Sequence, residues 1–164
     1  MNEILNKLTS YNIFNFLFPG AVFCIIAEHI NIMPSPSDLA KQLLWYYFVG
    51  MVISRVGSVI VEPLLRLVKF IPKGDYSAFL RASEVDEKLE VMVEAMNTFR
   101  TMASAFLMLI LGVLLGSVSG YVGISVEWRE RCALAALLVL FLISYRKQFG
   151  YVTKRVTHHR GDNK

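Results

Sequence analysis

Apolar residues fall along this chain in long runs, separated by short polar or proline-bearing stretches, and the runs have helical rather than strand length. The longest covers residues 45–69, WYYFVGMVISRVGSVIVEPLLRLVK. At ~1.5 Å rise per residue, a helix of about 20 apolar residues crosses the ~30 Å hydrocarbon core of a bilayer. The run therefore predicts one long membrane helix with a turn or two left over. Arg55 lies near its middle and Glu62 follows on roughly the same side of the helix. A charge at mid-bilayer costs ~2.5–3.5 kcal/mol on insertion scales, so both are expected to face other helices or water.

The remaining pattern fits around that helix. Residues 2–10 place Ile4, Leu5 and Leu8 on one face, as in a short interfacial helix. Residues 11–30 form a first span, with Asn12 and Asn15 in its first turns and Pro19 near its middle. The Pro19 ring clashes with the carbonyl four residues back, that of Asn15. Prolines at 34 and 36 predict a loop over 31–42, a second span follows over 43–68, and Pro72 breaks the chain again. Residues 83–100 read as a charged helix whose apolar positions, Val85, Leu89, Met92, Met96 and Phe99, alternate in steps of four and three. That is a narrow a/d seam. With no breaker before Ser119, this helix is expected to run on into a third span over 101–124. Gly112, Gly116 and Gly120 make a row of the kind that lets membrane helices approach closely. A turn at 127–131, a short fourth span over 132–145 and a basic tail over 146–164 complete the chain. The expected fold is all-α: a single polytopic domain of four spans, its third helix extended into the cytoplasm.

Composition agrees with the membrane class. Of 164 residues, 55% are hydrophobic, and the mean hydropathy is +0.49, more apolar surface than a soluble domain of this size can bury. The net charge of +4 matters for its distribution. Of 17 Lys and Arg, only Lys41, Arg129 and Arg131 fall in the first and third connections, and Arg55 is inside a span. The others flank the opposite ends, which predicts cytoplasmic N and C termini, with about 35 cytoplasmic residues between spans two and three. No basic start followed by an apolar core and small-residue cleavage site is visible, so no secretory signal is expected. Cys24 and Cys132 fall in or at the edge of apolar spans and are expected as buried small thiols. No metal or cofactor is expected, and the adjacent His158 and His159 have no ligand spacing. Without a hydrolase, zinc or phosphate-loop motif, the chain is not expected to be an enzyme.

Three groups of residues carry candidate chemistry. Arg55 and Glu62, with Asn12 and Asn15 at matching depth, could line a water-filled ion path. Alternatively they are structural, Arg55 bonding the carbonyl freed by Pro19 and Glu62 bonding the two asparagines. Gly112, Gly116 and Gly120, with Leu89, Met92 and Met96 of the seam, either join copies of the chain into a homo-oligomer or pack within it. Lys69, Lys73, Arg81 and Arg100, with Arg146, Lys147, Lys154 and Arg155, make a basic face. That face either rests on anionic lipid or receives a nucleotide or single-stranded nucleic-acid oligomer, with Tyr76, Phe79, Phe149 and Tyr151 available for stacking.

Asn15-Phe16-Leu17-Phe18-Pro19-Gly20, Ser54-Arg55-Val56-Gly57-Ser58, Glu62-Pro63 and Phe99-Arg100-Thr101 together resemble small four-span bacterial membrane effectors. These are encoded beside a nucleotidyltransferase in anti-phage defence operons, as in the Hailong system. The resemblance covers nearly the whole chain. It implies an oligomeric channel of the bacterial inner membrane, kept closed by a nucleic-acid oligomer and opened during infection to depolarise the membrane. A rival of another class is a non-conducting scaffold that recruits a soluble partner through the acidic helix.

Overall fold

The computed structural model describes residues 2–72, 76–83, 86, 88–122 and 125–161, and every regular element among them is helical. Helix α1 covers Asn2–His29, α2 Leu39–Val56 and α3 Glu62–Leu67, with a π-helical turn, Gly57–Val61, joining α2 to α3. Helix α4 covers Tyr76–Ser83, α5 Lys88–Val122 and α6 Val126–Gly161. Three segments are long and apolar enough to cross a membrane: Leu39–Leu67, Val91–Ser117 and Glu130–Thr157. A fourth apolar stretch, Phe14–His29, is shorter.

Several boundaries differ from the sequence pattern for identifiable reasons. The stretch expected as a separate interfacial helix, 2–10, is continuous with the first apolar helix, because no breaker separates them. Pro19 is accommodated inside α1, fully buried. The first connection is shorter than expected, because Asp38 caps α2: its carboxylate accepts the Lys41 N–H at 3.0 Å. The helix expected from residue 83 starts at Lys88, preceded by the unforeseen α4. The expected fusion of the charged helix with the third span is found in α5, and the basic tail continues α6 as helix to Gly161.

Two residues with positive φ end helices. Asn31 (φ 57°) closes α1, where the Ile32 N–H reaches back to the Ala27 carbonyl at 2.8 Å. Lys69 (φ 60°) closes α3 in the same way, with Phe70 N–H on the Leu65 carbonyl at 2.9 Å. Both are Schellman-type stops, in which a left-handed residue lets the chain pair its last carbonyls and turn away.

Packing centres on α1, α2 and α5. The core holds Phe23, Cys24 and Ala27 of α1, Tyr46, Val49 and Ile53 of α2, and Ala105 and Leu109 of α5. Helices α1 and α2 meet backbone to backbone at Gly20 and Gly50. A Cβ on Gly20 would run into the Tyr46 carbonyl and stand 2.8 Å from Gly50 N, and one on Gly50 would run into the Phe16 carbonyl. Cys24 is buried as expected, whereas Cys132 is exposed, because α6 packs only part of its length against the other helices.

Candidate functional site: the Glu62 charge cluster

The site begins with a local conflict in the second span. Pro63 has no N–H, and its ring would crowd the carbonyl four residues back in an α-helix. The helix answers by widening over Gly57–Val61, so that the Glu62 N–H bonds the Gly57 carbonyl, five residues back. Continuing this register would require Pro63 to donate to the Ser58 carbonyl, which it cannot do. The Ser58 carbonyl is instead taken by Lys147 Nζ of α6 at 2.5 Å, and Ser58 Oγ lies 3.1 Å from the same ammonium. The proline thus ties α6 to the second span.

Glu62, one residue past the π turn, gathers three cations from three helices. Arg66 Nη2 donates to Oε1 at 2.7 Å from the next turn, and Arg100 Nη1 of α5 donates to Oε2 at 2.8 Å. Lys147 Nζ stands 3.7 Å from the same Oε2. The Glu62 side chain is 15% exposed and those of Arg100 and Lys147 are 21% and 28% exposed, so these three are largely shielded, while Arg66, 41% exposed, lies at the edge of the cluster. Arg100 Nε is buried without a hydrogen-bond partner. Close approach of α5 depends on Gly57, where a Cβ would lie 2.7 Å from Ser104 Oγ and 3.5 Å from Arg100 Cγ. Beside the cluster, α5 turns a polar face inward. Thr101 and Ser104 are buried and bond the Asn97 and Arg100 carbonyls, at 2.8 and 2.7 Å, and Thr98 Oγ1 lies 2.9 Å from Asn15 Oδ1.

No family model, curated protein or solved structure matches the chain.

Of the residues singled out from sequence, the structure joins two groups that were read separately. Arg100 and Lys147 of the basic face turn to Glu62. Glu62 is therefore held by cations, and Asn15, expected beside it, instead meets Thr98 of α5. Arg55, half-buried, has no hydrogen bond or ion pair among the described residues and bonds no carbonyl freed by Pro19. Lys69 and Arg81 are exposed near helix ends, and Arg146, Lys154 and Arg155 are exposed along α6. Lys73 lies outside the described residues, as do the side-chain surroundings of Asn12 and Gly120. In the glycine row, Gly112 faces Ile32 of the first connection, and a Cβ on Gly116 would meet nothing within 4 Å. Leu89 is half-buried, but Met92, Met96 and Phe99 face outward. Sequence reading passed over Arg66, and it quoted Ser58 and Pro63 for the resemblance without giving either a part in the site. The available signal was Pro63 itself, which leaves backbone acceptors open one turn before a carboxylate.

Proposed function

We propose that this chain is the subunit of a homo-oligomeric ion channel in a bacterial cytoplasmic membrane, with the Glu62 cluster beside its ion path. The observation that carries this reading is one carboxylate and three cations gathered among three membrane-length helices, next to the inward polar face of α5. The cluster lies at the level of Lys147, toward the cytoplasmic end of the second span, so it would stand at the mouth of that path, where charged side chains set the environment of a passing ion. This reading includes four crossings, which the α1–α2 hairpin supports, and cytoplasmic termini, which the distribution of Lys and Arg supports. Gly20 lies ~14 Å from the loop end of α1 and Gly50 ~17 Å from that of α2, so α1 runs antiparallel beside α2 at the same depth. The outward Met92, Met96 and Phe99 supply a face for neighbouring subunits.

The resemblance to anti-phage effectors supports the rest of the reading. An anionic nucleotide or nucleic-acid ligand holds the pore closed at the basic face, and its loss lets the membrane depolarise. A ligand can do this only by binding one state better than the other. The test is membrane potential in cells expressing the chain, against Glu62→Gln and Arg55→Leu variants of matched abundance, each before and after release of bound nucleic acid. Depolarisation by the native chain, altered in both variants while assembly is intact, supports the channel. No depolarisation in any arm would move the reading to a scaffold, in which Leu89 and Met92 changes matter instead.

A further inference from the structure

Helix α6 carries a groove of about 480 Å³ lined by Ile143, Arg146, Lys147, Gly150, Tyr151 and Lys154. It lies where the sequence of α6 changes character. Residues 133–143 are uniformly apolar, and from Arg146 onward the helix is basic, with Tyr145, Phe149 and Tyr151 at the change. Aromatic side chains mixed with basic ones at the end of an apolar span mark the headgroup level of a bilayer. Within the groove, Arg146, Gly150 and Lys154 follow at successive turns of one face. The two cations are thus ~12 Å apart along the axis with a notch between them. A Cβ on Gly150 would meet nothing within 4 Å, so the notch is open. Arg146 and Lys154 have no ion-pair partner among the described residues, unlike Lys147, which is held by Ser58 and Glu62. Ile143 and the methylene stem of Lys147 supply the apolar wall, and Lys147 Nζ stands 5.9 Å from the Tyr151 ring centre.

We propose that this groove is a binding site for one anionic phospholipid, its phosphate over Gly150 between Arg146 and Lys154 and an acyl chain running along Ile143. Charge and shape both fit this occupant. Two uncompensated cations flank the notch, arginine offers a fork matched to phosphate oxygens, and the wall toward the apolar half of α6 is hydrocarbon. A soluble anion would use the cations but not that wall. The groove shares Lys147 with the Glu62 cluster, but its two free cations would hold lipid whether or not the chain conducts, so a channel reading that failed would leave the lipid preference intact. A soluble ligand of the basic face is then left with its other cations, Lys69, Arg81 and Arg155 among them.

The experiment uses the full chain purified in detergent, with retained lipid counted by native mass spectrometry in mixtures of phosphatidylglycerol and phosphatidylcholine. The native chain is expected to retain phosphatidylglycerol in preference by about tenfold or more, from two basic contacts at the headgroup level. Gly150→Leu, which fills the notch, and the pair Arg146→Gln/Lys154→Gln should each bring the ratio close to one. Arg131→Gln, at the other end of α6, should leave it unchanged. If Gly150→Leu does not fold, the glutamine pair alone carries the test. Equal retention of the two lipids, or a preference that survives the glutamine pair, overturns the proposal. Displacement of the lipid by millimolar inorganic phosphate would assign the groove to a soluble anion. Displacement by a short single-stranded oligonucleotide only would assign it to nucleic acid. Both results likewise overturn it.

Discussion

Gly20 and Gly50 hold the hairpin of α1 and α2 by what they lack. Each approaches the backbone of the other helix, so an added methyl group meets carbonyl and amide atoms that cannot swing away as a side-chain end could. Gly20→Ala or Gly50→Ala is expected to destabilise the chain by about 1–3 kcal/mol or more, the usual cost of overpacking. A thermal melt in detergent would read this as a lower midpoint, and an unchanged midpoint would mean that the helices cross elsewhere. At Glu62 the interaction is polar. Removing one partner of a shielded pair leaves the other charge uncompensated, so Glu62→Gln and Arg100→Gln should each cost about 1.5–3 kcal/mol. The double variant should cost less than the sum, with a coupling of about 0.5–3 kcal/mol. Arg55 makes no ion pair with Glu62, and the same cycle on Arg55→Gln should return a coupling near zero.

The helices show how much a pattern of residues can tell. Long elements were legible because apolar runs and prolines act locally: α5 runs through its charged start, and the second span is of membrane length. What was not legible arises between elements. The sequence shows Glu62 but not which cations reach it, since Arg100 and Lys147 are 38 and 85 positions away and come together only when α5 and α6 pack. Pro63 was equally visible, yet its consequence, a π turn that offers the Ser58 carbonyl to Lys147, depends on a donor from another helix. This arrangement predicts a specific coupling. Lys147→Met should leave the Ser58 carbonyl unpaired and cost about 1–3 kcal/mol. In a Pro63→Ala background the restored N–H can serve that carbonyl, so Lys147→Met should cost less there. Equal losses in both backgrounds would show that Lys147 acts through Glu62 alone. Asp38 gives a simpler case, because its cap involves only the first turn of α2. Asp38→Ala should lower stability by about 1 kcal/mol, read from the same melts.

Across the whole molecule, the decisive quantity is the number of crossings, because it fixes the side on which each terminus and each charged group lies. Phe14–His29 spans only ~24 Å as a helix, less than the ~30 Å hydrocarbon core, and by length alone could fail to cross. It does not lie alone, however. Backbone contact at Gly20 and Gly50, midway along α2, ties it to a helix that is long enough, and the continuous α1 supplies further length toward Asn2. The close backbone approach along this hairpin supports an α1 that crosses beside α2, as the proposed four crossings require. With four crossings, reporter proteins that are active only in the cytoplasm should be active when fused at either terminus. One inserted at Ser37, in the first connection, should be inactive. If α1 entered and left on one side, the C-terminal reporter would stay active, but those at the N terminus and at Ser37 would share the other side. The N-terminal fusion therefore decides between the two topologies. It also fixes whether the extension of α5 before Val91 and the basic end of α6 share a compartment with α1, as a ligand bound across the basic face requires.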